Sequence, residues 1–317
     1  MQRIRVHVAW LVLLGLAHSA SAEDAAPEPT YSWIEIGVGA TESDPEGDLQ
    51  QRRVLEEQLQ QAESRGRTRR ITVLLGRTAP LLVNASNQLW LRQLQSIDHT
   101  QDVATAFEAL DTTDADALRD EALRRYERAL DSVDRRAVRG LARQANGWRL
   151  EAGRLWRERQ DYAKARAMLG QVVDGPATRI ARRAAAMELG EMQFEDGDIR
   201  SALDTYQVAA RLGGDSDRGA YAQYRIGWCH LRLGEWQGAT GSLLQASQEA
   251  EDRSLARQAR SDALWVATQL EVDEALAVVD AACAEDLGCR DSERRALASR
   301  LDATGRPDAA DAVRSLR

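Results

Sequence analysis

The chain has 317 residues, is 44% hydrophobic and 29% charged, and carries a formal charge of −8. That length allows a sizeable core or more than one. The acidic balance excludes a general affinity for nucleic acid or for an anionic membrane surface. Lys164 is the only lysine beside abundant arginine, and phenylalanine is scarce, a composition typical of a GC-rich bacterial genome.

Residues 1–22 have the layout of a secretory signal. Arg3 and Arg5 form a short basic start, 8–16 is almost continuously apolar, and Ala20-Ser21-Ala22 supplies small residues for cleavage. The apolar run is far shorter than the roughly 20 residues of a membrane span. The residue directly after Ala22 is Glu23 and not a cysteine, so a lipid-anchored version is not written here. Cleavage removes two arginines and takes the formal charge from −8 to −10. Nothing later in the chain is apolar enough for direct membrane insertion, so an exported, periplasmic or secreted protein is expected.

Residues 23–85 are expected to be a linker and an irregular N-terminal segment. The stretch 23–30 is rich in alanine, proline and acid, 31–38 alternates loosely enough for a short strand, and Pro45 and Gly47 break the pattern. A helical pattern follows over 49–64 and ends at Gly66. Residues 71–75 fit a second short strand or the start of another helix. From 86 to 144 the pattern is helical but degenerate, with Leu89, Leu91, Leu94 and Ile97 on one apolar face.

A period of 37 residues governs 145–250. Glycine recurs at Gly153, Gly190 and Gly227, and alanine at Ala165, Ala202 and Ala239. An acid followed by a bulky apolar residue precedes each alanine, at Asp161-Tyr162, Asp198-Ile199 and Glu235-Trp236. A fixed period of this size marks a stack of identical two-helix units. Tight turns are expected at 159–161, 196–198 and 233–235, and the small residues let the two helices of each hairpin approach closely. The pattern weakens over 251–317, where Gly305 marks a last turn, as expected of degenerate C-terminal repeats and a cap.

These positions resemble the tetratricopeptide repeat (TPR) family. The best repeat reads Leu189-Gly190, Phe194, Gly197-Asp198-Ile199, Ala202-Leu203, Tyr206 and Ala209. The next reads Ile226-Gly227, Leu231, Gly234-Glu235-Trp236, Ala239, Leu243 and Ala246. The resemblance implies an all-α helical-hairpin solenoid, and the 37-residue period is similar to that of periplasmic, envelope-associated TPR proteins of Gram-negative bacteria. It also implies that the first helix of each hairpin lines a concave groove. That places Arg154, Glu191, Tyr221, Tyr224, Trp228 and Trp265 as partner-binding candidates. Tyr221, Tyr224 and Trp228 share one helical face, where aromatics serve equally as core or as binding anchors. Trp148, Trp156 and Trp236 fit packing better. The Arg135-Arg136 and Arg182-Arg183 runs are expected to be solvated faces paired with nearby acids.

Cys283 and Cys289 flank a short segment and are expected to form a disulfide, with Cys229 free and buried in a helix. No catalytic or metal site is legible: His99 and His230 are the only histidines beyond the signal, and no metal-ligand, nucleophile-elbow, phosphate-loop or dinucleotide motif is present. No cofactor is implied. The sequence therefore points to an exported scaffold that binds a segment of another envelope protein. The alternative is a structural component of an envelope machine that self-assembles through convex faces or ends, without a peptide groove.

Overall fold

The computed structural model describes residues 45–95, 112–136, 140–213, 216–283 and 287–315. The expected signal, the 23–30 linker and the 31–38 strand lie outside these residues. So does His99. The described residues form thirteen α-helices and one 3₁₀ turn, with no strand among them.

In chain order they are α1 (Pro45–Ser64), α2 (Thr68–Gln95), α3 (Thr113–Arg136), α4 (Ala142–Glu158), α5 (Tyr162–Asp174), α6 (Arg179–Glu195), α7 (Ile199–Gly213) and α8 (Asp217–Arg232). Then come α9 (Trp236–Glu249), α10 (Arg253–Val266), α11 (Val272–Cys283), α12 (Leu287–Ala303) and α13 (Pro307–Ser315). The chain divides into two compact units between Ala165 and Arg166, inside α5.

Part of the stretch read as irregular is helical. Pro45 does not break a pattern but opens α1, at the first helical position where a missing N–H costs nothing. Residues 71–75, left open between strand and helix, lie inside α2. In the first unit α1 packs on α2, α2 on α3 and α3 on α4. The core there includes Leu59, Leu75, Leu82, Leu123, Tyr126 and Leu130. The Trp148 ring presses directly on Gly76, where a Cβ would overlap the indole. Arg125 joins α3 to α1 through Glu56 at 2.6 Å. Leu91, placed on an apolar face by its periodicity, is exposed.

The second unit shows why the 37-residue period exists. Gly190 is a helix residue whose missing side chain admits the Tyr206 ring from the second helix of the same hairpin; a Cβ there would sit 2.7 Å from Cε1. One period on, Gly227 admits Leu243 in the same way, also at 2.7 Å. Ala165, Ala202 and Ala239 are all fully buried. Larger side chains at these positions would force the paired helices apart.

The turns repeat as well. Residues 160, 197 and 234 adopt left-handed φ values of 62°, 81° and 73°. Around each one, a backbone N–H closes a six-residue loop: Asp161 to Trp156 O at 3.0 Å, Asp198 to Gln193 O at 2.9 Å, and Glu235 to His230 O at 2.9 Å. This is the Schellman ending of a helix. Gly305 repeats it, with Arg306 N donating to Leu301 O at 2.8 Å. Repeated hairpins with small residues at the helix crossings and left-handed turn residues in phase define the architecture. The fold is TPR-like.

Two expectations about charge divide. Arg135 pairs with Asp131 at 2.5 Å. Arg182 and Arg183 bond no acid among the described residues. The Arg183 guanidinium is instead pushed below its usual range by burial and by the neighbouring charges of Arg218 and Arg179.

Candidate functional site

Arg154 sits on α4 in the first unit, part-exposed, and bonds Glu151 one turn back at 3.0 Å. The other five candidates lie in the second unit, on the first helices of successive hairpins: Glu191 on α6, Tyr221, Tyr224 and Trp228 on α8, and Trp265 on α10.

Glu191 is part of an internal network, not a free acid on a surface. Its Oε2 accepts from Arg225 at 2.8 Å, with both side chains mostly buried. Arg225 Nε also donates to the Tyr206 hydroxyl at 3.1 Å, and its guanidinium carbon lies 4.4 Å from the centre of the Phe194 ring. Tyr206 is the ring seated against Gly190. The repeat glycine, the second-helix tyrosine and the buried ion pair are therefore one assembly. Burial alone would lower the Arg225 pKa, but the charge of Glu191 and contact with Tyr206 hold it above its ordinary value.

The aromatic stripe is a correction to the groove expectation. Tyr221, Tyr224 and Trp228 are 3%, 0% and 8% exposed. Their rings pack on one another, Tyr221 to Tyr224 at 5.9 Å and Tyr224 to Trp228 edge-on at 6.4 Å. The cause is the next hairpin. The Tyr224 hydroxyl donates to Asp262 Oδ2 on α10 at 2.7 Å, tying α8 to α10 and closing the stripe between them. These three residues hold the stack together. Trp265 differs: it is 41% exposed, one turn beyond Asp262 on the same helix.

Asp262 is the residue that sequence reasoning missed. Gln258 Nε2 donates to its Oδ1 at 2.8 Å, so each carboxylate oxygen is held by a neutral donor. Burial raises its pKa; donation from Tyr224 and Gln258 works the other way, as does the Trp228 indole N–H from outside hydrogen-bond geometry. A sequence signal for it existed. Residues 151, 188, 225 and 262 are spaced by the repeat and read Glu, Glu, Arg and Asp. The last two meet a neighbouring first helix: Arg225 donates to Glu191 on α6, and Asp262 accepts from Tyr224 on α8.

Cys283 and Cys289 are bonded, joining the end of α11 to the start of α12, and Cys229 is a buried free thiol. Burial pushes the Cys229 thiol up to about 12, which leaves it unreactive at neutral pH. His230 is half-buried, with Nδ1 2.7 Å from Glu235 Oε2 and its ring against Gly238. Among the described residues no group of His, Cys, Asp or Glu has metal-site geometry. No helix there is long and apolar enough to cross a membrane.

No protein-family model and no curated protein matches the chain. Solved structures do. The apo form of the quorum sensor NprR from B. thuringiensis aligns at 13% identity and TM-score 0.40, covering 84% of this chain and 81% of that one. A Podospora anserina kinesin light chain with nearly identical TPR-like repeats aligns at 15% identity and TM-score 0.35, covering 62% and 93%. A Rap protein complexed with competence and sporulation factor aligns at 13% identity and TM-score 0.34, covering 86% and 96%. The fold assignment rests on the repeat geometry above, not on these likenesses.

Proposed function

We propose that the protein is an exported scaffold that docks a segment of another cell-envelope protein along the first-helix face of its hairpins. Export is supported by the signal-like pattern of residues 1–22. An envelope partner is supported by the resemblance to periplasmic TPR proteins. The observation that carries the docking reading is Trp265, a large aromatic 41% exposed on a face whose equivalent aromatics are sealed into the stack. An exposed tryptophan on a rigid helix offers apolar area at small entropic cost, the usual make-up of a binding anchor.

The anchors are thus fewer than the sequence implied. Trp265 is the principal one, Phe194 is already covered by Arg225, and Tyr221, Tyr224 and Trp228 are buried in the stack. A photo-reactive residue placed at position 265 in living cells should give a discrete adduct with one envelope protein, whereas placement at 228 should give none. A folded, exported protein with no adduct at 265 would refute the docking reading. A mass that rises with concentration would then favour the self-assembling alternative.

A further inference from the structure

First helices carry an acid and an aromatic one turn apart twice, the second pair shifted by three residues in the repeat. On α6 an acid and an aromatic stand one turn apart, Glu191 and Phe194; on α10 the pair is Asp262 and Trp265. Residues at this spacing lie side by side on a helix surface. In the first instance the chain supplies the partner itself. The Arg225 guanidinium bonds Glu191 at 2.8 Å and lies over the Phe194 ring at 4.4 Å, so one planar cation meets a carboxylate at its edge and a ring at its face.

In the second instance no described residue supplies a cation to Asp262. Its two oxygens accept only from the neutral Tyr224 hydroxyl and Gln258 amide, which fix the carboxylate in place and leave further acceptor capacity. Asp262 is part-exposed, and Trp265 one turn away is more exposed still. A carboxylate oriented by neutral donors and partly removed from water gains more from an arriving cation than a fully hydrated one does. The indole of tryptophan is also the best aromatic face for that cation.

We propose that Asp262 and Trp265 form a receiving site for an arginine side chain of the docked segment, which takes the place there that Arg225 takes on Glu191 and Phe194. This rests on the docking reading above and names the chemistry of the partner: a segment with an arginine presented for edge-on pairing and stacking. Lysine fits less well, because an ammonium lacks the planar fork and stacks poorly. The formal charge of −8 on the chain would draw any basic segment toward it, so the arginine preference, not attraction alone, is the signature.

The test uses the full mature chain with ¹⁵N-labelled tryptophan and a capped tetra-arginine peptide as probe, with capped tetra-lysine for comparison. Saturable movement of the Trp265 indole N–H signal is expected with tetra-arginine, and binding weaker by at least about fivefold with tetra-lysine. Asp262→Asn keeps an oxygen for Tyr224 and should weaken tetra-arginine binding by about tenfold or more. Trp265→Leu, at an exposed position that tolerates change, should weaken it without loss of helix. Equal binding of the two peptides, equal binding by Asp262→Asn, or no movement at Trp265 would each overturn the site. The docking reading is judged separately by the adduct at 265: an adduct there together with failure of the peptide tests sinks the arginine site and leaves docking intact.

Discussion

Gly190→Ala puts the packing account at risk in a measurable way. In an exposed helix interior this change stabilises by about 1 kcal/mol, because alanine loses less backbone freedom on folding. At Gly190 the new Cβ would lie 2.7 Å from Tyr206 Cε1 and 2.9 Å from Cδ1. Carbon atoms in contact normally stand about 3.5–4.0 Å apart, so the overlap approaches a full ångström. The ring has nowhere to retreat: Tyr206 is fully buried and its hydroxyl is held by Arg225 at 3.1 Å. Overpacking of this kind costs about 1–3 kcal/mol, and forcing the hairpin open would strain the Arg225–Glu191 pair as well. The net expectation is a loss of about 1–2 kcal/mol. Gly241, on the exposed side of α9 with nothing within 4 Å of its would-be Cβ, is the matched control and should gain about 0.5–1 kcal/mol. Urea unfolding followed by helical circular dichroism would read both changes as midpoint shifts of opposite sign. If Gly190→Ala proves as stable as Gly241→Ala, the glycine period does not exist to seat the second-helix side chain, and the explanation of the repeat fails.

Other outcomes follow from the same geometry. Gln160 holds a left-handed φ of 62° where its counterparts at 197 and 234 are glycine, so Gln160→Gly should raise stability by about 0.5–1 kcal/mol, and a loss would show that its side chain contributes more than its strain costs. Burial raises the Asp262 pKa, so the fold favours the protonated form: that contribution is present below the usual carboxylate range and is lost as pH rises through the raised value. The stability of Asp262→Asn relative to wild type should therefore climb as pH rises from below the usual carboxylate range through that raised value, and a gap that stays flat would contradict it. Trp228→Ala should cost about 3–5 kcal/mol as a core truncation, whereas Trp265→Ala should cost about 1 kcal/mol or less, measured by the same urea titration. Iodoacetamide at neutral pH should leave the native protein unmodified and label one cysteine, Cys229, after denaturation without reductant; labelling of three would mean that Cys283 and Cys289 are not joined.

How much was legible in sequence depended on the range of the interaction. The Gly190, Gly197 and Ala202 series reported backbone needs: a close helix crossing, a left-handed turn and a buried small residue. Such needs are met by one residue type at one spacing, so the period stands out unaided. The first unit was harder. Pro45 and Gly47 read as breakers in sequence because composition cannot distinguish a proline that stops a chain from one that starts a helix. Gly76 sits in α2 to make room for Trp148, a partner two helices away that no local pattern announces.

The candidate site shows the same limit more sharply. The TPR resemblance placed Tyr221, Tyr224, Trp228 and Trp265 on one kind of helix face, and all four do lie on first helices. It could not say which of them the neighbouring hairpin would cover. That depended on packing between repeats: Tyr224 bonds Asp262 on α10 and is buried with Tyr221 and Trp228, while Trp265 stays at the surface. Likewise nothing in the sequence singled out Arg225, and only packing made it a buried partner of Glu191 that lies over Phe194. The sequence by itself determined the hairpins, their turns and their phase, because those follow from backbone conformation and side-chain size within about forty residues. The tertiary structure decided burial, charge pairing and therefore the exposed anchor, because each of these is set by which side chains of neighbouring repeats share the same space.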